Sequence, residues 1–287
     1  MIEIFKTNIT NQEQAGGVYD ALARLLPGAR ISFDLDDPEK ILRIEDDMVD
    51  AGMVAETVES LGYVCKVIPD LVCKDATGDM RSFWDNSFIE HREMWGFQPS
   101  ASARLAMEWF RENNIKDILI PGIGYGRNAA EFIANGIKVT GIEISATAVE
   151  MARKHYGSSI RIYEGSVTDM PFNYRLYEGI FCHGLLYLLN AEQRKKMIAD
   201  CYRQLKPGGW MIFTVISRRS PNYGKGEKVG EDTFRIGKGA ELFFYDEAAA
   251  RKEFEHAGLR EVFEIEEPHG AMPGKPPFRF LFIKCRR

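Results

Sequence analysis

The chain has 287 residues, of which 45% are hydrophobic, and a formal net charge of −5 at neutral pH. This length predicts about two domains, the acidic balance gives no basic face for nucleic acid, and no apolar run reaches the roughly 18 residues of a membrane span. The five cysteines are scattered, odd in number and without a CxxC pair, and the first residues carry no signal-peptide core, which together predict a cytoplasmic protein.

Residues 1–70 alternate short apolar runs with amphipathic segments that end at a glycine. Strands are predicted at 2–5, 29–35, 40–44 and 63–68, and helices at 11–26 and 48–61. Gly28 and Gly62 end the two helices, and a turn containing Asp36, Asp37 and Pro38 joins the two middle strands. The order strand–helix–strand–strand–helix–strand is that of a small ferredoxin-like α+β domain.

This first segment resembles a heavy-metal-associated domain, the small fold of copper chaperones. That family carries two metal-binding cysteines in the loop that corresponds to residues 9–15, and Asn11 and Gln14 occupy their positions here. An amide is a poor ligand for a soft metal, which needs thiolate. We therefore expect no metal site, and we expect the domain to pack on the rest of the chain or on another subunit, as in a homodimer.

Residues 71–80 mix glycine and charges and are predicted to be a linker, so that the second domain spans 81–287. Five aromatic residues follow, at Phe83, Trp84, Phe88, Trp95 and Phe97. At helical spacing they are either packing residues or a lid over a ligand, and Trp95 is the preferred lid or substrate contact. Ser100 is a predicted N-cap for a helix that ends at Asn113.

A glycine-rich loop lies at the centre of the second domain. The apolar run Ile118–Ile120 is typical of a buried parallel strand, and three glycines at alternate positions follow it before a helix-forming segment. Such a loop turns sharply and exposes main-chain N–H groups to a ligand. The residues expected to line this site are Pro121, Gly122, Gly124, Gly126, Arg127 and Asn128.

A carboxylate follows this loop at the end of the next predicted strand. Glu143 ends the next predicted strand, seventeen residues after Gly126, where an acid accepts hydrogen bonds from a ribose diol. A dinucleotide-binding loop would have the pattern GxGxxG, but the third glycine comes one position early and Arg127 stands where it should be. A plain tight turn is the remaining alternative.

The pattern GxGxG resembles motif I of the class I S-adenosyl-L-methionine (SAM) methyltransferases, and Glu143 matches the ribose-binding acid of that family. Three further matches extend the resemblance over residues 115–216: the segment from Glu164 to Phe172, the strand that ends at Cys182-His183, and the LKPGG turn at 205–209. The resemblance implies a Rossmann-like α/β domain with a seven-stranded mixed sheet, closed by an antiparallel strand pair at 259–265 and 278–283.

The same resemblance assigns further residues to the site. Ile144, beside Glu143, is expected to contact the donor. Ser166 stands where the family carries an acid for the adenine amino group, so that contact would come from its hydroxyl or from the main chain near Val167. His183 would touch the donor, orient the acceptor or act as base, and a structural role is the alternative. Tyr187 would line the acceptor pocket.

Residues 217–240 form a polar stretch rich in glycine and charge. The family places acceptor-specific insertions after the fifth strand, so this stretch is interpreted as a substrate loop, with Tyr223 and Arg235 as candidate contacts. A plain solvated loop is the alternative.

The predicted function is methyl transfer from SAM to a small-molecule acceptor by in-line displacement, in the manner of the tellurite-resistance and thiopurine type. One departure supports a second hypothesis, a SAM-binding or regulatory protein without turnover: Ile120 stands where motif I normally carries an acid. A nicotinamide-dependent enzyme is disfavoured by the early third glycine and by the LKPGG turn.

Overall fold

The computed structural model describes residues 2–35, 40–46, 49–67, 77–93, 95–173, 175–236, 240–268 and 276–287. The chain divides into two compact units, Met1–Asp79 and Met80–Arg287. The predicted linker at 71–80 lies mostly outside the described residues, and its last four residues are helical instead. The predicted turn at 36–38 also lies outside them. Within the described part of the chain, no helix has the length and apolarity that crossing a membrane requires.

The first unit has the predicted order of elements. They are β1 (Ile2–Thr7), α1 (Gln12–Leu25), β2 (Arg30–Asp34), β3 (Ile41–Glu45), α2 (Ala51–Ser60) and β4 (Cys65–Val67). The strands form an antiparallel sheet in the order β2-β3-β1-β4. Apolar residues of both helices pack on one face of this sheet, with Val18, Leu22 and Val58 fully buried. This arrangement confirms the ferredoxin-like plan.

The second unit contains the remaining elements. Its helices are α3 (Thr77–His91), α4 (Ala101–Glu112), α5 (Ala129–Ala134), α6 (Ala146–Tyr156), α7 (Ala191–Gln204) and α8 (Glu247–Glu253). Its strands are β5 (Asp117–Pro121), β6 (Lys138–Glu143), β7 (Ile160–Glu164), β8 (Tyr177–His183), β9 (Leu205–Ile216), β10 (Glu227–Gly230), β11 (Thr233–Ile236), β12 (Ala240–Phe243), β13 (Leu259–Glu267) and β14 (Phe278–Arg286).

Seven of these strands form one mixed sheet in the order β13-β14-β9-β8-β5-β6-β7. Strands β5 to β9 run parallel, and β14 is antiparallel to both of its neighbours. Successive strand residues face opposite sides, so Ile118 packs with the cluster that includes α4, α5 and α6, while Leu119 packs with the cluster that includes α7 and α8. The predicted seven-stranded Rossmann-like fold is therefore confirmed.

Side chains cap the starts of several helices, including the predicted cap at Ser100. Ser100 accepts a hydrogen bond from the N–H of Ala103 at 3.0 Å, and Ser145 accepts one from Ala148 at 3.1 Å. Asn190 and Gln193 form a reciprocal capping box at the start of α7. These bonds satisfy N–H groups that a helix start otherwise leaves without partners.

Two expectations for loops need correction. The polar stretch 217–240 is not a plain loop, because β10, β11 and β12 form a small three-stranded antiparallel sheet there. These strands have only four residues each, too few for a clear periodic signal, and the ring of Phe234 is buried against Phe244. The LKPGG residues, predicted as a separate turn, belong to β9. At this point the pairing of β9 with β8 shifts its register. A Cβ at Gly209 would lie 2.8 Å from the carbonyl oxygen of Glu178.

Candidate functional site

The carboxyl ends of β5, β6 and β8 meet at one edge of the seven-stranded sheet. The glycine-rich loop follows β5, Glu143 is the last residue of β6, and His183 is the last residue of β8. In an open parallel sheet, ligands bind outside the carboxyl ends of the strands, near the point where the strand order reverses. Here the order reverses between β5 and β8.

The glycine loop is held in a conformation that other residues rarely adopt. Gly122, Gly124 and Gly126 have φ angles of +67°, +57° and +86°. A Cβ at Gly122 would lie 2.7 Å from Leu185, and one at Gly126 would lie 2.5 Å from the ring of Tyr156. The loop therefore requires glycine both for its backbone angles and for its close neighbours.

Glu143 joins this loop to the next one. Its carboxylate is buried and accepts the N–H of Gly124 at 2.8 Å through Oε2 and the N–H of Ser145 at 2.9 Å through Oε1. Burial raises the pKa of Glu143, the N–H donors oppose that shift, and the nearby charge of Asp85 adds to it. These two bonds use two of the roughly four acceptor positions of the carboxylate.

Helix α3 runs across the ends of three strands. Its Arg81 pairs with Glu164 at the end of β7 at 3.1 Å, and its Asp85 accepts the hydroxyl of Ser145, after β6, at 2.6 Å. Farther along, Phe88 is buried and lies 3.8 Å from the position of a Cβ at Gly124, after β5. The helix thus covers the half of the edge that holds the glycine loop and Glu143.

The segment after α3 is fixed to the glycine loop. Tyr125 donates its hydroxyl proton to the carbonyl of Gly96 at 2.7 Å, and its ring stacks on Trp95 at 6.3 Å with an interplanar angle of 11°. Arg127 donates to the carbonyl of Trp95 at 3.1 Å. The structure therefore brings Trp95 to the glycine loop, with about half of its side chain exposed.

His183 lies on the other side of the strand reversal. Its Nδ1 is 2.8 Å from Oγ1 of Thr214 on β9, and its ring stacks on Phe181 and contacts Phe280. Burial lowers the pKa of His183 to about 4; the charge of Glu267 opposes this shift, and the charge of Arg127 adds to it. The imidazole is therefore neutral at pH 7.

This shift predicts a pH dependence of folding stability. The unfolded chain binds the His183 proton below about pH 6.5, whereas the folded chain binds it only near pH 4, so stability is lost as the pH falls between these values. Between pH 7 and pH 5 we expect the free energy of unfolding to fall about 1–2 kcal/mol less in His183→Gln than in the wild type. Urea unfolding at both pH values measures this. His256 is exposed, so His256→Gln is the control and should lose as much stability as the wild type between the two pH values. If His183→Gln also loses as much as the wild type, the lowered pKa of His183 is contradicted.

The predicted acceptor residues fall into two groups. Tyr187 packs on Phe280, near His183, and burial raises its pKa. Arg235 lies on β11 of the small sheet instead, and the ring of Tyr223 packs on Phe234 of the same strand. The Tyr223 hydroxyl donates to Asp232 at 2.8 Å, and Arg235 pairs with Glu227 and Glu241. Their polar groups thus stabilise the small sheet, a role that the sequence analysis did not foresee.

The other predicted donor residues surround the loop. Pro121 ends β5, and Ile144 follows Glu143. The side-chain oxygen of Asn128 accepts the N–H of Ser100 at 3.0 Å, which fixes the start of α4. Ser166 is buried and caps a short 3-10 turn that contains the buried Val167, so its hydroxyl is engaged with Thr168.

Sequence reasoning missed a buried carboxylate at this edge. Glu267, the last residue of β13, accepts the N–H groups of Ala101 and Ser102 at 2.7 and 3.1 Å and the hydroxyl of Ser102 at 2.7 Å. It caps α4, and its charge acts on both Arg127 and His183. Nothing in the sequence distinguishes Glu267 from its exposed neighbour Glu266, because only packing brings β13 next to α4.

The comparisons with known proteins agree with this geometry. A family model described as "Methyltransferase domain" matches residues 118–209, which include the glycine loop, Glu143 and His183. This region is similar to a methyltransferase domain.

Relatives of the methyltransferase domain act on varied acceptors. The chain is 28% identical over 115 residues to the ubiquinone biosynthesis O-methyltransferase of Nitrosomonas europaea, covering 38% of this chain and 47% of that protein. It is 30% identical over 138 residues to the tRNA N(3)-methylcytidine methyltransferase Mettl2 of Drosophila melanogaster, covering 44% and 42%. The chain thus spans about half the length of the curated relatives it matches.

A solved structure shares the fold over most of its length. It is the 1,6-didemethyltoxoflavin-N1-methyltransferase of Burkholderia thailandensis, with bound 1,6-didemethyltoxoflavin and S-adenosylhomocysteine. The TM-score is 0.57 at 15% identity, and the match covers 91% of this chain and 96% of that one. At this identity the match establishes the fold alone.

The departure of the methyltransferase domain from motif I has a structural explanation. Ile120 is buried in the apolar cluster that packs α4, α5 and α6 on the sheet. A carboxylate at this position would be desolvated, which costs several kcal/mol without a partner. The side chain at this position therefore contributes to the core and offers the donor no polar group.

In the first unit, the two amides that replace the expected cysteines serve the helix start. Asn11 caps α1 by accepting the N–H of Gln14 at 3.0 Å, and the side-chain oxygen of Gln14 accepts the N–H of Thr10 at 2.8 Å. These bonds give both residues a structural role. The absence of metal binding stays a prediction.

Proposed function

We propose that this protein is a SAM-dependent methyltransferase that acts on a small-molecule acceptor. One observation supports this proposal above the others: Glu143 and the glycine loop, at the ends of neighbouring strands, are hydrogen-bonded to each other through Gly124. A cradle of bare peptide groups beside a carboxylate fits an adenosyl compound, because the peptide groups admit close approach and the carboxylate accepts the ribose hydroxyls.

In this proposal the chain binds the methyl donor, orients it toward the acceptor and excludes water from the site. When bound, SAM supplies an electrophilic methyl group on its sulfonium. Glu143 would hold the ribose, Gly122 to Gly126 would lie along the donor, and Ile144, Ser166 and Val167 would flank the adenine. Helix α3 and Trp95 would exclude water from the donor side.

His183 and Tyr187 are the proposed acceptor-side residues. The neutral His183 ring can accept a proton from an acceptor hydroxyl or amine at Nε2 if Nδ1–H donates to Thr214. A thiol or chalcogen anion would need no such base, as in the tellurite-resistance and thiopurine type that the sequence resembles. The polar groups of Tyr223 and Arg235 are bound to Asp232 and Glu241. These two residues are therefore proposed to act on the acceptor only through the position of the small sheet.

Calorimetry tests the donor assignment. We expect the full chain to bind SAM and S-adenosylhomocysteine with one site each, and to give no heat with NAD. Binding of NAD in place of SAM would contradict the proposal. A methyl-uptake screen over small thiols, phenols, amines and oxyanions then identifies the acceptor class.

A second candidate function follows from Ile120. A domain that kept the donor site but lost turnover would bind SAM in calorimetry and methylate nothing in the screen. The buried Ile120 supports this alternative because it removes one polar contact to the donor. For the first unit we propose a role in protein contacts, including a homodimer, and sedimentation of the full chain measures that.

A further inference from the structure

Asp85 on α3 hydrogen-bonds to the loop that carries the ribose acid. Its Oδ1 accepts the hydroxyl of Ser145 at 2.6 Å and the N–H of Thr147 at 3.0 Å. Both donors belong to the start of α6, sixty residues farther along the chain. Although partial burial opposes it, these hydrogen bonds and the charge of Arg81 hold the pKa of Asp85 below its ordinary value, so Asp85 is ionised at neutral pH.

Ser145 connects two carboxylates. Its N–H donates to Glu143 at 2.9 Å, its hydroxyl proton goes to Asp85, and the same hydroxyl oxygen caps α6 by accepting the N–H of Ala148. Ser145 is fully buried. Without Asp85, the hydroxyl proton of Ser145 would lose this acceptor.

We propose that Asp85 is a positioning residue for the donor site: it acts through Ser145 to hold Glu143 in the orientation that receives the ribose. This inference rests on the proposed function. Asp85 can hold this position because α3 is itself attached to the domain before and after it. Arg81 pairs with Glu164, and Phe88 packs on Tyr125 and Ala148. A carboxylate at the start of α6 is also favoured by the dipole of that helix.

The cap alone does not explain this arrangement. Helix α6 already has Ser145 as its N-cap, with the side-chain bond to Ala148 that such a cap requires. The second acceptor comes from another helix and reaches Ser145, whose own N–H is bound to Glu143. Asp85 therefore fixes the Glu143 loop relative to α3, which a cap within α6 cannot do.

The test uses the full chain and S-adenosylhomocysteine. We expect Asp85→Ala to raise the Kd about tenfold, and Asp85→Asn about threefold, because the amide oxygen still accepts the two hydrogen bonds but without charge assistance. In an assay with an acceptor found by the screen, KM for SAM should rise while kcat at saturating SAM stays within about twofold, because Asp85 touches no reacting atom. Glu90→Ala, an exposed acid on the same helix, is the control and should leave both unchanged.

A double-mutant cycle separates positioning from a general loss of structure. If Asp85 acts through Glu143, Asp85→Asn should have no further effect on Kd in a Glu143→Gln background. Independent, additive effects would overturn the inference. If Asp85→Ala does not fold, Asp85→Asn decides, and a wild-type Kd in that variant overturns it. A wild-type chain that does not bind S-adenosylhomocysteine would instead overturn the proposed function, and this inference with it.

Discussion

Replacement of Glu143 by alanine is expected to abolish measurable SAM binding. Hydrogen bonds to a charged group contribute about 1.5–3 kcal/mol each, so the loss of two to a ribose diol raises the Kd by roughly two to four orders of magnitude. The variant also removes the acceptor for the N–H groups of Gly124 and Ser145, which disorders the loop that the donor contacts. Calorimetry with SAM and S-adenosylhomocysteine measures the effect.

The neighbouring strand provides a matched control for this prediction. Glu164 is the register partner of Glu143 on β7, and it is an exposed acid that pairs with Arg81. Exposed pairs contribute little, so Glu164→Ala should change the Kd by less than about threefold. A Glu143→Ala variant that folds and binds SAM as the wild type does would show that this carboxylate only supports the loop.

The second large effect is expected from a methyl group at the glycine loop. Gly126→Ala combines a left-handed backbone, which costs about 1–2 kcal/mol in other residues, with a Cβ placed 2.5 Å from the ring of Tyr156. Relief of this contact must displace the Tyr156 ring or the loop, because Tyr156 is also bonded to the carbonyl of Gly126 at 2.8 Å. We expect SAM affinity to fall at least about thirtyfold, with a loss of roughly 2–4 kcal/mol in stability.

The control for this prediction is a glycine with similar backbone angles and free space. Gly136, after α5, has a φ of +75°, and a Cβ there would meet no atom within 4 Å. Gly136→Ala should lose about 1 kcal/mol of stability and keep its SAM affinity. Thermal unfolding and calorimetry on both variants separate backbone strain from damage to the site. Equal SAM affinity in both variants would argue against a donor contact at the loop.

The two loops of the proposed donor site, after β5 and after β6, could be predicted from the sequence because their signals are local. Alternate glycines after a β-branched run predict a loop with positive φ angles, and an acid at the end of the next strand predicts a polar group at the same sheet edge. The three strands in the polar stretch after β9 could not be predicted in this way. They have only four residues each, and their antiparallel backbone pairing shows that they form a sheet.

The sequence by itself determined the order of elements outside residues 217–240, the cap at Ser100, and the positions of Gly126 and Glu143 after neighbouring strands. Each of these depends on residues within a few positions of one another, where hydrogen-bonding and steric preferences act directly. The tertiary structure alone decided which acids matter beyond Glu143. Asp85 meets Ser145 across sixty residues and Glu267 meets Ser102 across 165, and before folding both look like any solvated acid. Their roles arise because folding brings donors from distant parts of the chain to each carboxylate, two to Asp85 and three to Glu267.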